Sequence, residues 1–333
     1  MISFAGKGVL VLAFLQLLCL REILSGTIKE SLRDYEDLDY LAGETLHRVG
    51  TCDNNKTLVE IRFDSDNPPV TLITLCHDED LDFTLWAKSY IFGEDLENSE
   101  GGGNRPSFKE GDFYPTISAD DCYKQVTQTE TIGMLVGSTS LAQHYVQTSK
   151  NLFLSRGHLT PNGDPITAVQ KAATFYFINV SPQWQTINGG NWVSLEMAAR
   201  ELAGNALSTF TVWTGSYGVS TLDDVNGNPV EIWLGRSSSG ALVKKLPVNH
   251  LTWKVIYDET TRTGVAVIQI NNPWVESVTD DDILCDDVCD QLSWVNWDTK
   301  DIVKGYTYCC TVASFKQKVS YAPELGDIPL LRG

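Results

Sequence analysis

Eight cysteines, two of them adjacent, constrain this chain more than any other feature. Cys19 lies in an uncharged apolar run, Val9 to Leu20, that follows a lysine-bearing start and stops at Arg21 and Glu22. The run is shorter than the roughly 18 apolar residues a membrane span needs and has the layout of a secretory signal. The expected signal therefore covers residues 1–25, with cleavage between Cys19 and Gly26, and Cys52, Cys76, Cys122, Cys285, Cys289, Cys309 and Cys310 remain. In an oxidising compartment these form up to three disulfides and leave one thiol over. Spacing alone does not fix the pairing. A zinc reading of Cys285, Cys289, Cys309 and Cys310 is disfavoured, because neighbouring cysteines are awkward ligands of one ion. The mature chain is expected to be soluble and extracellular, with no membrane association and no obligate protein partner. Asn55-Lys56-Thr57 is a glycosylation sequon in a polar stretch. Asn179-Val180-Ser181 has the same pattern inside an apolar run before Pro182 and is expected to stay unmodified.

Hydrophobic periodicity gives an α+β fold class without the regular alternation of a parallel sheet. Residues 26–115 read as a small β-rich lobe, with strands at Leu58 to Phe63, Val70 to Leu75 and Phe83 to Ile91, closing in a polar stretch that contains Gly101-Gly102-Gly103. Residues 116–333 read as a second, larger domain. Its expected strands are Ile132 to Val136, Leu152 to Leu154, Thr174 to Asn179, Thr209 to Thr214, Val230 to Leu234, Leu251 to Tyr257 and Gly264 to Ile270. Helices are expected at Leu141 to Lys150, at Asn191 to Ala203 with Asn191 as N-cap and Gly204 as stop, and at Val312 to Lys318.

The net charge of −18 excludes a generally basic nucleic-acid-binding surface. The acids are concentrated in Asp34 to Asp39, Asp78 to Asp82 and Thr279 to Asp290, which read as solvated loops and leave room for a local cationic pocket. Arg156-Gly157-His158 is the first candidate for chemistry. Arginine holds a phosphate in a forked contact, glycine lets backbone approach a ligand, and histidine titrates near working pH. A second cluster follows in Asn179, Pro182-Gln183, Asn188-Gly189-Gly190-Asn191-Trp192, Glu196 and Arg200. A strand-to-helix junction at Asn188 would offer backbone amides and an amide oxygen to a phosphate and a hard cation. Glu196 and Arg200 share a helix face, the ordinary spacing of a helix salt bridge. His47, His77, His144 and His250 have no spaced partners and read as structural or surface residues.

Together, Ser155-Arg156-Gly157-His158, Asn179-Val180-Ser181-Pro182-Gln183, Asn188, Trp192 and Leu195-Glu196 resemble the DNA/RNA non-specific endonucleases of the ββα-metal type, in both residues and intervals. Trp213-Thr214-Gly215, Trp253-Lys254-Val255 and Asn271-Asn272-Pro273 also look like this family, and the likeness covers roughly residues 120–320. The serine before Arg-Gly-His, the signal and the extra N-terminal lobe are most similar to its secreted arthropod branch of double-stranded RNases and salivary endonucleases. The resemblance implies that His158 takes a proton from the attacking water. It makes Asn188 the direct protein ligand of a Mg²⁺, with Mn²⁺ a possible substitute. Arg156 and Arg200 would neutralise the transition state, Glu196 would hold the waters around the ion, and Asn179 and Gln183 would position the loop. The implied activity is hydrolysis of DNA or RNA, including double strands, through phosphate contacts that carry little base information. Phe175 stands where bacterial relatives carry an asparagine, so whatever that amide orients must be held otherwise. A catalytically inactive nucleic-acid-binding homologue and a secreted phosphodiesterase on small nucleotides remain as alternatives.

Overall fold

In the computed structural model, the described residues are 44–64, 69–99 and 105–333. The expected signal, its cleavage region, the Asp34 to Asp39 acids and Gly101–Gly103 lie outside them. Twelve strands are present among the described residues: β1 (Thr45–Cys52), β2 (Lys56–Phe63), β3 (Val70–Asp78), β4 (Phe83–Phe92), β5 (Leu154–His158), β6 (Val180–Trp184), β7 (Thr209–Val219), β8 (Thr221–Asp223), β9 (Pro229–Glu231), β10 (Asn249–Asp258), β11 (Thr263–Ile270) and β12 (Thr307–Cys310). The helices are α1 (Ala119–Cys122), α2 (Gln125–Val136), α3 (Thr139–Tyr145), α4 (Ala168–Ala173), α5 (Gln185–Ile187), α6 (Val193–Ala206) and α7 (Val312–Lys318).

Eight strands form one sheet in the order β1-β2-β3-β4-β7-β10-β11-β12, and every pair in it is antiparallel. The boundary expected near residue 115 does not divide it, because β4 bonds along β7 from Trp86 opposite Gly215 to Phe92 opposite Thr209. An open edge at β4 would have left a row of backbone donors and acceptors unpaired, and β7 supplies their partners. Alternation along β10 sets the layers. Leu251, Trp253 and Val255 join a core with Phe315 of α7, whereas Ile256 turns to the other face, where Leu195, Ala199 and Ala203 of α6 pack with Val212 and Val267. Lys254 therefore points beneath α6, on the same face as Ile256.

The disulfides are Cys52–Cys76, Cys285–Cys310 and Cys289–Cys309, and the remaining described cysteine, Cys122, is buried and free. The adjacent pair resolves simply: consecutive residues of β12 face opposite sides of the sheet, so Cys309 enters the α6-side core and Cys310 the α7-side core. One strand is thereby stapled on both faces. Of the two sequons, Asn55 is exposed, while Asn179 is fully buried and has no space for a glycan.

Three local expectations give way to the structure. Ile132 to Val136 is the end of α2, not a strand; Gln128, Ile132 and Val136 recur at helical spacing on its buried side and Gly137, at φ 73°, ends it. Packing has overridden the β-preference of the branched residues. Thr174 to Asn179 makes one bridge, from Tyr176 to Lys109, and a 3-10 turn at Phe177–Asn179 before β6 begins at Val180. The acids of Asp78 to Asp82 are not all solvated, since Asp78 and Asp82 are buried against Lys56 and Lys245.

β5 and β6 pair with each other, Leu154 opposite Trp184 and His158 opposite Val180. The helical segment beginning at α5 follows at once, so the order is literally β, β, α. Polar side chains fasten this hairpin to the main sheet. The Asn271 amide donates to the carbonyls of Pro182 (2.9 Å) and Asn249 (3.0 Å) and accepts from the Trp184 amide (3.1 Å). Ser181 donates to the Asn249 side-chain oxygen at 2.7 Å. All are buried, so each lost partner leaves an unsatisfied group costing about 1–3 kcal/mol. Asn271→Ala is therefore expected to lower the unfolding free energy by at least about 3 kcal/mol in urea titrations, against under about 1 kcal/mol for the exposed turn residue in Asn226→Ala. Equal losses for the two variants would refute the seam.

Candidate active site

On β5, Arg156 and His158 share one face and Gly157 the other. A Cβ on Gly157 would sit 2.6 Å from Oε1 and 2.8 Å from Cβ of Gln183, so glycine is required here by the buried Gln183 behind it and not by a ligand in front. Gln183 is placed as a strut within the hairpin, its carbonyl accepting from Ser155 Oγ at 2.8 Å. Asn179 clamps the loop that leaves His158. Its oxygen accepts from the Thr160 amide, and its nitrogen donates to the carbonyls of Thr160 and Thr174, all at 3.0 Å.

The His158 imidazole is half-buried between Phe108, centroid to centroid 5.3 Å, and Phe175, 5.1 Å and edge-on at 80°. Phe175 thus holds the ring by packing. Burial, with the Arg105 charge as the smaller cause, pushes the His158 pKa down to about 4. The ring is consequently neutral at physiological pH, and its buried Nε2 has no hydrogen-bond partner. Arg105 lies over the Phe175 ring at 5.4 Å.

Asn188 opens a π-turn, Asn188–Trp192, between α5 and α6. The expected strand-to-helix junction with free amides is not found. The amide of Asn188 donates to Gln185, that of Asn191 to Lys304 and that of Val193 to Gly190. Nor does Asn191 cap the helix; its side chain donates to the carbonyls of Asp298 (2.7 Å) and Gly305 (2.8 Å). α6 runs past Gly204 to Ala206. The Asn188 side-chain amide, in contrast, has no hydrogen-bond partner among the described residues and lines the same cleft as His158.

That cleft, about 460 Å³, is also lined by Arg105, Lys171, Phe175, Glu196 and Arg200. Arg200 is tied to the buried Asp164 at 3.0 Å, and Gly163 lies so close that a Cβ would be 2.7 Å from its guanidinium. Beneath them Lys254, fully buried on β10, donates to Thr214 Oγ1 at 2.5 Å and lies 5.2 Å from the Trp192 ring. Burial pushes the Glu196 carboxyl up to about 7, opposed first by Lys254; burial likewise raises Asp164 and lowers Lys254. Two acids and two bases are thus grouped at the cleft, Glu196 and Arg200 lining it and Asp164 and Lys254 buried beneath. Arg156 is not among the cleft residues; it is bonded to Asp120 at 2.6 Å.

Of the seven expected site residues, Asn188, His158, Glu196 and Arg200 share one cavity, Asn179 and Gln183 are supports next to it, and Arg156 is neither. No local spacing marks Arg105, Lys171 or Asp164, and Lys254 stands in the family-like Trp253-Lys254-Val255 without a role that the sequence assigns to it. The hard oxygen of Asn188 beside the Glu196 carboxylate suits a cation that keeps most of its waters. The cluster Asp287, Cys289 and Cys309 does not suit one, because both sulfurs are in the same disulfide. His47, His77, His144 and His250 lie outside the cleft.

Residues 54–315 match the family of DNA/RNA non-specific endonucleases. A salivary endonuclease of Lutzomyia longipalpis is similar at 32% identity over 218 residues, which is 64% of this chain and 49% of the relative. Salivary protein Tsal1 of Glossina morsitans morsitans is 31% identical over 172 residues, 52% of this chain and 41% of that protein. The chain spans about half the length of the curated relatives it matches. Among solved structures, an EndoG/EndoGI complex aligns with a TM-score of 0.46 at 15% identity, over 77% of this chain and 84% of the other.

Removing one member of a compensated buried cluster strands its partners, at about 3–5 kcal/mol. Lys254→Met is expected to lose that much stability in urea unfolding, whereas Lys300→Met, which breaks an ion pair whose lysine is half exposed, should lose under about 1 kcal/mol. A neutral Lys254→Met would mean the cluster is not charged in the folded state.

Proposed function

The chain belongs to the DNA/RNA non-specific endonuclease family, and from that premise we propose that it is a secreted, sugar-non-specific endonuclease with His158 as its general base. The observation that carries this reading is a single cleft in which a neutral imidazole, its Nε2 without a hydrogen-bond partner, accompanies the unpartnered amide of Asn188 and the Glu196 carboxyl, with Arg105, Lys171 and Arg200 around them. His158 accepts the proton of the attacking water. Asn188 would hold a Mg²⁺, or a Mn²⁺ in its place, and Glu196 would orient the waters around it. The ion supplies electrostatic stabilisation of the phosphate and the leaving oxygen when bound. Arg200, kept in place by Asp164, faces the developing charge on the phosphorus centre, and Arg105 and Lys171 provide further cations for the polyanion. Asn179 and Gln183 hold the loop and the hairpin. No covalent enzyme intermediate is required, and contacts of this kind select phosphate and not base. Secretion is supported by three disulfides and by the salivary names of the relatives.

The reading is tested by digesting plasmid DNA, double-stranded RNA and a small phosphodiester with Mg²⁺ or with chelator. Wild type is expected to cut one or both polymers only with the metal. His158→Ala should lose on the order of 10²–10⁴ in rate, and Asn188→Ala should weaken metal binding in calorimetry. Undiminished cleavage by His158→Ala would overturn the mechanism. Cleavage of the small diester alone would favour the small-nucleotide phosphodiesterase, and binding without cleavage the inactive homologue.

The low pKa also fixes a pH dependence. Because the folded His158 stays unprotonated until about 4, its base form persists as pH falls through the ordinary histidine range. The Glu196 carboxyl, pushed up to about 7, takes its proton first, so the acid limb of kcat/KM for the free enzyme is expected near pH 7 in wild type and near pH 4 with Glu196→Gln, below 6.5, the usual histidine value. A limb remaining at 6.5 in Glu196→Gln would show that the ring is solvated in the working enzyme.

A further inference from the structure

We propose that Arg156 is a positioning residue that acts on His158 through Phe108, and not a phosphate ligand. The inference rests on the reading of His158 as general base. Arg156 and His158 leave β5 on the same face two residues apart, yet only His158 reaches the cleft. The guanidinium is held by other groups instead, with the side chain partly buried. Nη2 is bonded to Asp120 at 2.6 Å, and the central carbon lies 5.5 Å from the Phe108 ring, 5.5 Å from Tyr123 and 5.3 Å from Phe177. Its Nε is buried without a hydrogen-bond partner. A carboxylate and three aromatic rings thus engage the guanidinium away from the cleft, leaving 29% of the side chain exposed.

What the guanidinium holds is Phe108. That ring packs at 5.0 Å on Phe175 and 5.4 Å on Phe177, and its other neighbour is the His158 imidazole at 5.3 Å. Asp120, Arg156 and Phe108 therefore form a line of contacts ending at the general base. Arg200 differs: it is also paired with a carboxylate, but it lines the cleft. A small displacement of a proton acceptor costs rate without changing substrate affinity, up to about 100-fold for 1 Å.

The two roles diverge in steady-state cleavage of a defined duplex in saturating Mg²⁺ over a range of salt concentrations. A residue that neutralises one phosphate contributes about 0.7–0.9 to the slope of log affinity against log salt. With Arg156→Met, kcat is expected to fall between about 10- and 100-fold, with KM and the salt slope unchanged. With Asp120→Asn, which alters a half-exposed carboxylate and leaves the core intact, kcat is expected to fall severalfold because Arg156 loses its anchor. The proposal is overturned if Arg156→Met raises KM and reduces the slope by nearly one contact. It is equally overturned if Asp120→Asn lowers KM or raises kcat, the result for an arginine held back from substrate. Thermal melts identify any variant that fails to fold, and Asp120→Asn then decides alone. His158→Ala in the same assay separates the outcomes: full activity there defeats the general-base reading whatever Arg156 does.

Discussion

The site depends first on a buried seam of amides. A two-stranded hairpin with five residues in each strand is not stable by itself in water. Here it is fixed by Asn271 and Asn249 at the main sheet, whose hydrogen bonds reach Ser181, Pro182 and Trp184 of β6. An apolar seam of the same area would tolerate sliding, whereas a buried amide with three directed bonds has one satisfactory register. The position matters because the Trp184 amide, bonded to Asn271, is the last group before the chain turns into α5 and reaches Asn188. His158 is held on the partner strand. One seam therefore sets both the imidazole and the proposed metal ligand relative to the sheet.

Electrostatics is arranged locally against an unfavourable whole. A net charge of −18 repels a polyanion at long range, so encounter with nucleic acid gains nothing from overall steering. The cleft brings together Arg105, Lys171 and Arg200 over a compensated layer of Asp164, Glu196 and Lys254. Compensation has a kinetic use. A preorganised cation needs no rearrangement when charge develops, and Arg200, wedged between Asp164 and Gly163, has little freedom to rearrange.

Much of this was legible in the sequence where the information is local. The α6 stripe of Trp192, Leu195, Ala199 and Leu202, the alternation in β10 and β11, and α7 at Val312–Lys318 follow from period alone. The local motifs around His158, Asn188, Glu196 and Arg200 mark one cavity. What period and motif leave out is pairing at long range. Nothing near Lys254 announces that it will lie under Glu196, and Arg105 follows a polar, glycine-rich stretch that reads as linker. The same omission made a separate lobe of strands that are continuous with β7, since edge complementarity has no sequence signature. Gly157 was misassigned for a related reason: the group that requires it, Gln183, is near only because the hairpin has closed.

The asparagine and glycine run from Asn188 to Asn191 shows how one segment can be misjudged by helix rules and still bring its asparagine to the cleft. By those rules Asn191 caps a helix, but its amide instead ties the π-turn to a C-terminal strap through the carbonyls of Asp298 and Gly305. Gly190 permits the approach, since a Cβ there would be 2.7 Å from the Lys304 carbonyl oxygen. The strap is in turn anchored beside β12: Lys300 pairs with Asp287, and Asp287 accepts from the amides of Cys289 and Cys309, which are joined to each other. A bulged turn frees Asn188 from helix bonding only if something outside the helix holds the bulge open. The disulfide-braced strap does so, and oxidative folding thereby reaches the cleft itself.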